Sequence, residues 1–252
     1  MEITEENSGI NILKSKSTRD QHLSDKIPDN CGLCKNSATY YVIGKPGSGK
    51  SHLMEHIMKT KPEKGGFKNC YDAVFLICPR TSRSGYKKSY SKQMNPTRIY
   101  EDLNVENLEK INEEIGEVND ESDNDPRFSA LIIDDCASDL RNKNTNRLLL
   151  KMIQNHRHKN LSIYIVVQNL MMASKNIRDN MSCLIQFKTG SLKEIKTLND
   201  EFVPHLKINE CLDLLDYIYK DKYSFLLVNR RDDYICKSFN RLKIKTGRGG
   251  EY

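Results

Sequence analysis

The sequence predicts an α/β fold in three layers (αβα), in which helices cover both faces of a mostly parallel central sheet. Short apolar runs alternate along the chain with longer amphipathic segments, the pattern of parallel strands joined by helical crossovers. The apolar runs do not alternate strictly between apolar and polar residues, which is typical of strands buried on both faces. A chain of 252 residues has room for one such domain with a substantial core.

Five apolar runs are predicted to be the strands of the core. They lie at residues 38–43, 72–78, 129–135, 161–167 and 181–187. Helices are predicted where apolar residues recur at helical spacing. They lie at residues 50–60, 103–118, 144–157 and 209–221. Two further apolar runs, separated by the residues RRDD, predict a β-hairpin that closes the domain at its C-terminal end.

The two ends of the chain are predicted to lie outside the folded domain. Residues 1–36 are polar and aperiodic, which predicts a flexible or loosely docked N-terminal arm, and residues 241–252 form a basic, glycine-containing tail. The domain itself is predicted over residues 37–240. In the arm, Cys31 and Cys34 have the spacing of half a zinc site, but no second pair follows at a conventional distance, so reduced thiols are favoured.

The composition narrows the class of protein. The formal net charge of +6 is too small to establish a polyanionic partner by itself. Eight cysteines spread along the chain do not resemble the dense framework of a small secreted domain. No apolar run approaches the roughly 20 residues that span a bilayer, and the N-terminus is acidic rather than signal-like. We therefore expect an intracellular protein without a membrane-spanning segment.

Residues 44–51 have the sequence GKPGSGKS, a full match to the phosphate-binding pattern G-x-x-x-x-G-K-[ST]. Because this stretch follows a predicted strand and opens a predicted helix, backbone N–H groups converge where the β-phosphate of a nucleotide can bind. Lys50 is expected to reach the β- and γ-phosphates, and the Ser51 hydroxyl is expected to bind Mg²⁺. The sequence thus predicts a P-loop NTPase with ATP and Mg²⁺ as cofactors. The predicted nucleotide-binding residues are Gly44, Lys45, Pro46, Gly47, Ser48, Gly49, Lys50, Ser51 and His52.

Two adjacent carboxylates end the predicted strand at residues 129–135. Asp134 is expected to bind Mg²⁺, directly or through water, and Asp135 is expected to orient and deprotonate the attacking water. Acids after a strand are also common as turn or helix-cap residues. The phosphate-binding loop upstream favours the catalytic interpretation, because a metal-holding acid beside a water-activating acid is an arrangement for hydrolysis.

Two polar residues bracket the predicted strand at residues 161–167. Gln168 follows it, at the edge of a parallel sheet where ligands bind, and is expected to reach the γ-phosphate or the attacking water. An amide that caps the following turn is the alternative. Arg157 precedes the strand at its opposite end, too far to serve its own nucleotide. It is expected to reach the nucleotide of a neighbouring subunit and stabilise transition-state charge there.

Together with the NHRH segment before the fourth strand and NIRDN at residues 176–180, these motifs resemble the FtsK–HerA superfamily. Within it they resemble the poxvirus-type genome-packaging ATPases of large DNA viruses and virophages, over residues 38 to 239. The resemblance implies a pentameric or hexameric ring that pumps double-stranded DNA into a preformed capsid, with a capsid or portal protein as partner. It also implies a location in the host cytoplasm or virus factory, or association with the virion.

The resemblance assigns roles to single residues. Lys50 and Ser51 match the phosphate loop, Asp134 and Asp135 the second acidic motif, Gln168 the polar sensor, and Arg157 and Arg178 two basic positions of the viral branch. Which of the two arginines is the arginine finger is left open. The second acid is often Glu in the wider superfamily, and Asp is shorter by one methylene.

A DNA-contacting surface is predicted in the basic, tyrosine-containing stretch at residues 79–100. Such a stretch suits phosphate contacts with little sequence preference. The candidate contacts are Arg80, Arg83, Lys87, Lys88 and Lys92. The alternative is a solvated loop that pairs with the acidic stretch following it.

The predicted activity is ATP hydrolysis coupled to translocation of double-stranded DNA during packaging of a viral genome. A related plasmid or chromosome translocase would have similar motifs, and a scaffold that binds ATP without hydrolysis is a third class. A GTPase is disfavoured because Arg230 replaces the lysine of the guanine-recognising N-K-x-D pattern. A small-molecule kinase would not normally combine paired acids, a downstream glutamine and external arginines.

Overall fold

A computed structural model describes residues 21–29, 31–82, 94–120 and 125–244. Within these ranges one sheet of nine strands runs through the molecule. Its strands are β1 Thr39–Ile43, β2 Ala73–Ile77, β3 Ile99–Tyr100, β4 Ser129–Asp134, β5 Leu161–Val167, β6 Cys183–Phe187, β7 Phe225–Asn229, β8 Tyr234–Lys237 and β9 Asn240–Arg241. Their order across the sheet is β3-β2-β4-β5-β1-β6-β7-β8-β9.

The helices lie between the strands. They are α1 Lys50–Lys59, α2 Val105–Asp120, α3 Lys143–Asn155, α4 Lys175–Asp179, α5 Leu192–Phe202 and α6 Ile208–Ile218. All pairings from β3 to β6 are parallel, and the pairings from β6 to β9 are antiparallel. The predicted α/β class, the mostly parallel sheet and the closing hairpin, formed by β7 and β8, are therefore confirmed.

Strands β1, β4, β5 and β6 are buried along their whole length, as expected for strands covered on both faces. Successive residues of β1 point to opposite faces: Tyr41 joins one apolar cluster and Tyr40 the other. The first cluster takes side chains from the helices α2 to α6, whereas the second takes its helical side chains from α1. The two covering layers are thus unequal, with one helix on the second face.

The segment before β1 completes the cover of that second face. Leu23, Ile27, Leu33 and Cys34 are all buried and belong to the same cluster as α1. The sequence predicts a flexible or loosely docked arm up to residue 36, and for residues 21–29 and 31–36 the structure differs: this part is packed onto the domain. The physical reason is that one helix leaves apolar surface of the sheet uncovered, and these side chains remove it from water. Residues 245–252 of the predicted tail lie outside the described ranges.

Helix α5 was not predicted from the sequence. Its apolar residues Ile195, Leu198 and Phe202 recur at spacings of three and four and are buried against the sheet. The Ser191 side chain accepts a hydrogen bond from the backbone N–H of Glu194, which caps the first turn. This helix matters for the site because it carries Glu194 and Glu201 toward the loops that follow β5.

Candidate nucleotide-binding site

The glycine-rich loop joins the end of β1 to the start of α1, at the carboxyl edge of the parallel strands. Gly47 and Gly49 have φ angles of 76° and 107°, in the left-handed region that a side chain disfavours. At Gly44 a Cβ atom would lie 2.4 Å from the Ser48 hydroxyl oxygen, so only glycine fits. The loop therefore wraps tightly before the helix, which is the local geometry that directs backbone N–H groups at a phosphate.

Lys50 lies across the mouth of this loop. Its Nζ donates hydrogen bonds to the carbonyl oxygens of Gly44 and Lys45, at 2.6 and 3.2 Å. Partial burial lowers the pKa of Lys50, and the charges of Asp134 and Asp135 oppose this shift. The ammonium group is thus held in the field of both acids, where it can also meet the phosphates of a nucleotide.

The two acids at the end of β4 have different environments. Asp134 is the last residue of the strand and is buried. Asp135 has a φ of 58° and is exposed, because the left-handed turn takes it out of the strand. Asp tolerates this region better than most residues. The strand end thus holds one carboxylate beside the loop and presents the next one to solvent.

Asp135 is the point at which three segments of the chain meet. One carboxylate oxygen accepts a hydrogen bond from the Ser82 hydroxyl, and the other accepts one from the Gln168 side-chain amide at 3.2 Å. Ser82 follows β2, and Gln168 follows β5, so neighbouring strands supply both partners. The structure therefore brings Lys50, both acids and Gln168 together, as the sequence predicts. It adds Ser82, which sequence reasoning missed because no motif marks it.

Gln168 is exposed, and the residue after it fulfils the capping role that was its alternative. The Asn169 side chain accepts a hydrogen bond from the backbone N–H of Met171 at 2.9 Å. On the far side of the turn, Glu194 accepts hydrogen bonds from the Leu170 N–H and the Thr189 hydroxyl. The loops that follow β5 and β6 are therefore tied together, and Gln168 stays available to face Asp135.

The two candidate arginines differ in environment. Arg157 is exposed in the 3-10 turn His156–Lys159, which precedes β5 and so lies at the edge of the sheet opposite the glycine-rich loop. Arg178 is buried; its guanidinium donates to both oxygens of Glu201, each at 2.7 Å, and to the Ala173 carbonyl. The hydrogen bonds that Arg178 donates to Glu201 raise the pKa of Arg178. Arg178 therefore ties α4 to α5.

A pocket with a volume of about 800 Å³ opens beside the glycine-rich loop. Its aromatic lining consists of Phe187, Tyr223, Phe225 and Phe239, with His52 and His56 from α1. Phe225 is in ring contact with Phe187 and Phe239, at centroid distances of 5.4 and 5.3 Å. The Tyr223 side chain is 58% exposed at the rim.

Sequence reasoning assigned His52 to the nucleotide site but missed these aromatic residues. Tyr223 lies in the turn before β7, and Phe225 is the first residue of that strand. No motif in the sequence marks these aromatic residues. Only the pairing of β6 with the C-terminal hairpin brings the hairpin next to the loop.

Residues 29–237 match the family described as Poxvirus A32 protein. The chain belongs to this family. The match covers the loop, the acids, both arginines and β7 and β8 of this A32 family member. It confirms the poxvirus-type viral branch that the motifs predicted.

Solved structures similar to this A32 family member share its fold. B204, the DNA-packaging ATPase from Sulfolobus Turreted Icosahedral Virus, superposes with a TM-score of 0.60 and 18% identity, covering 81% of this chain and 98% of that one. The genome packaging NTPase B204 from Sulfolobus turreted icosahedral virus 2, in complex with AMPPCP, superposes with a TM-score of 0.59 and 17% identity. This match covers 82% of this chain and 99% of that one. EssC from Geobacillus thermodenitrificans superposes with a TM-score of 0.54 and 10% identity, covering 81% of this chain and 39% of that one.

A curated viral relative of the A32 family member is protein 015R of Frog virus 3 (isolate Goorha), whose function is uncharacterized. The two are 22% identical over 176 residues, which is 69% of this chain. The chain spans about half of that relative's length, 52%.

Two side chains at the glycine-rich loop and the end of β4 offer oxygen donors that suit Mg²⁺. Ser51 offers a hydroxyl and Asp134 a carboxylate, both oxygen ligands that Mg²⁺ accepts. The charge of Asp134 acts on Lys50, next to Ser51 in the chain, so acid and loop lie at the same place. Two protein donors leave the rest of an octahedral shell to phosphate oxygens and water.

Of the predicted DNA contacts, Arg80 lies in the described part of the chain, and Arg83, Lys87, Lys88 and Lys92 lie outside it. Arg80 pairs with Glu101. Arg98, from the same basic stretch, pairs with Glu114 of α2 at 2.6 Å. Both described arginines thus have acidic partners, as in the alternative of a basic loop that pairs with acidic residues after it.

Two kinds of site are absent from the described residues. None of their helices combines the length and apolar character of a membrane span. They contain no group of three or more His, Cys, Asp or Glu side chains placed to hold a metal ion. The eight cysteines are buried free thiols in the structure.

Proposed function

We propose that this A32 family member is an ATP-hydrolysing double-stranded DNA translocase that packages a viral genome into a capsid. The observation that carries the proposal is the convergence of Lys50, Asp134, Asp135 and Gln168 at one edge of the sheet. Phosphoryl transfer requires positioned groups that stabilise charge rather than covalent chemistry by the protein. These four side chains supply a cation, a metal-binding acid, a base and a polar group beside one phosphate-binding loop.

Each residue has a distinct task in hydrolysis. Lys50 would stabilise charge on the β- and γ-phosphates, and Asp135 would accept a proton from the attacking water, which Gln168 helps to orient. Ser51 and Asp134 would hold Mg²⁺, which when bound neutralises charge on the phosphate oxygens. The hydrogen bond between Gln168 and Asp135 keeps both water-contacting groups facing the same point.

The aromatic pocket is the proposed site for the base of the nucleotide. Its volume falls in the usual range for small-molecule sites, and it begins where the phosphate-binding loop enters α1. Flat rings stack on a heteroaromatic base, while His52 and His56 can bond its polar edge. The pocket also joins the C-terminal hairpin to the nucleotide, because Phe225 and Phe239 come from β7 and the turn after β8.

Replacing Tyr223 should weaken nucleotide binding. Tyr223→Asn removes the exposed ring but suits the φ of 67° at this position, since Asn tolerates the left-handed region. We expect the Kd for an ATP analogue to rise about fivefold, the loss of one stacking contact. Titration calorimetry measures it. Tyr217→Asn is the matched control, because Tyr217 is 51% exposed on α6 and does not line the pocket; an equal loss in both variants would contradict the assignment.

A ring is part of the proposal because Arg157 lies at the edge of the sheet opposite its own site. From that position it would reach the nucleotide of the adjacent subunit and stabilise transition-state charge there. Arg157 is favoured as the arginine that acts between subunits because it is exposed, whereas Arg178 is buried within its own subunit. The basic stretch that includes Arg80 would contact DNA phosphates, and its affinity should fall steeply with salt.

ATP turnover with and without double-stranded DNA tests the proposed function. We expect DNA to raise the steady-state rate several-fold, and Lys50→Ala to remove turnover in both conditions because phosphate contact is lost. Turnover that DNA leaves unchanged would reject the motor. Nucleotide binding without any turnover would instead favour a nucleotide-gated scaffold. DNA packaging, rather than plasmid or chromosome transfer, is supported by membership of the A32 family.

A further inference from the structure

Two buried cysteine sulfurs lie side by side outside the nucleotide site. Cys34 Sγ and Cys183 Sγ are 3.3 Å apart, although the residues are 149 positions apart in sequence. Cys34 belongs to the N-terminal segment that covers the α1 face of the sheet, and Cys183 is the first residue of β6. Their side chains are almost fully buried, at 1% and 0% exposure.

The surroundings of Cys34 hold its sulfur in place. The backbone N–H of Cys34 donates to the Tyr40 hydroxyl at 3.1 Å, and the Asn229 side-chain amide donates to Cys34 Sγ at 3.4 Å. Cys34 also lines a surface cavity of about 330 Å³, together with Cys31, Arg231 and other residues of this face. A molecule as small as hydrogen peroxide in this cavity would meet Cys34, which lines it, whereas Cys183 does not line it.

The two thiols differ in acidity. The hydrogen bond from Cys183 lowers the pKa of Cys34, and the charge of Arg231 acts in the same direction, against the effects of burial and Asp232. Burial raises the pKa of Cys183. Cys34 is the residue that reacts first with an oxidant, because it lines the cavity and Cys183 does not, and because the thiolate is the nucleophile.

We propose that Cys34 and Cys183 form an oxidation site at which a hydroperoxide generates a disulfide bond. The Cys34 thiolate attacks a peroxide oxygen, the O–O bond breaks, and hydroxide leaves to become water, so that Cys34 becomes a sulfenic acid. The Cys183 sulfur then attacks the Cys34 sulfur. The S–O bond breaks as the S–S bond forms, and the leaving hydroxide takes the proton of Cys183. One hydrogen peroxide is reduced to two waters, and two thiols are oxidised.

The bond would link the N-terminal segment to the sheet. The sulfurs must approach from 3.3 Å to about 2.05 Å, which the loop that carries Cys34 can accommodate more readily than strand β6. Strand β6 pairs with β1, the strand that leads into the phosphate-binding loop. Oxidation therefore fixes the cover of the face on which α1 packs.

Peptide mapping tests the proposal on the folded full-length chain. After treatment with hydrogen peroxide and blocking of free thiols, trypsin should release residues 27–35 disulfide-linked to residues 179–188, since lysine or arginine flanks each peptide. Fragmentation should place the link on Cys34 and leave Cys31 blocked. A bond between Cys31 and Cys34 would instead stay within peptide 27–35, and its predominance would overturn the proposal.

Variants provide the controls. Cys34→Ser and Cys183→Ser should each abolish the linked peptide, whereas Cys70→Ser should retain it, because the Cys70 sulfur bonds the Lys68 carbonyl elsewhere. In guanidinium the yield of the Cys34–Cys183 link relative to other cysteine pairs should fall at least about tenfold, because the unfolded chain no longer aligns the two sulfurs. Equal yields of the linked peptide from the folded and the unfolded chain would contradict the site. So would oxidation of Cys34 and Cys183 to separate sulfinic acids without a link. Mapping of the unmodified chain decides the question even if a serine variant fails to fold.

Discussion

Asp135→Asn is expected to lower ATP turnover about a thousandfold while leaving the Kd for ATP within about twofold. An amide cannot accept the proton of the attacking water, and positioned general bases contribute factors of roughly 10²–10⁴. Asn has the same shape and also tolerates the left-handed backbone at this position, where φ is 58°. Binding should persist because Lys50 and the glycine-rich loop are unchanged. Steady-state kinetics and calorimetry separate the two quantities.

Asp139→Asn is the matched control for this variant. Asp139 lies four residues further along, in the 3-10 turn Asp139–Arg141, and its carboxylate accepts a hydrogen bond from Ser138 rather than from the catalytic cluster. We expect it to keep turnover near that of the unmodified chain. If Asp135→Asn also turned over at the unmodified rate, Asp135 would not be the base, and water activation would have to be assigned to another group.

Arg157→Ala is expected to reduce turnover by about 10³-fold, and mixing it with Lys50→Ala subunits is expected to restore part of the activity. A transition-state arginine supplied by a neighbour contributes factors of 10³–10⁵ in related phosphoryl-transfer reactions. In the mixture, a Lys50→Ala subunit contributes an intact Arg157 to the intact site of an Arg157→Ala subunit. Each variant alone lacks one half of every site. Turnover as a function of the mixing ratio measures the recovery.

His158→Ala provides the control for this exchange. His158 is the next residue in the same turn and is also exposed, so its removal tests whether disturbing the turn alone impairs the site. We expect it to have little effect and to complement nothing. If mixtures of the Arg157 and Lys50 variants stayed as inactive as their components, the arginine would not act between subunits, and its edge of the sheet would need another role.

The core strands could be predicted from the sequence because both faces of each strand are buried. The run at 161–167 coincides with β5, and the run at 38–43 includes β1, since a strand that meets protein on both sides has to be apolar at nearly every position. Helix α5 was missed although Ile195, Leu198 and Phe202 recur at helical spacing, and only the sheet shows which face of the helix they cover. Strand β3 has two residues and carries too little pattern for recognition.

Some features of the site could likewise be predicted from the sequence, whereas others depend on the fold. The glycine-rich loop and the paired acids are local signals, because tight wrapping at Gly44 and the end of β4 depend on neighbours in sequence. The environment of Arg178 does not depend on neighbours in sequence. Its pairing with Glu201 forms only because the fold brings α4 next to α5. Arg157 and Arg178 therefore look equivalent in the sequence and differ sharply in the fold.

The sequence by itself determined the fold class, the phosphate-binding loop, both acids and the position of Gln168 at the end of its strand. The tertiary structure decided the contact of Gln168 and Ser82 with Asp135, the aromatic pocket beside the loop, the packing of residues 21–29 and 31–36, and the approach of Cys34 to Cys183. The physical reason is one of range. Backbone geometry and strand burial are encoded by residues close together in the chain, whereas contacts across strands depend on the register and order of the sheet, which no single segment contains.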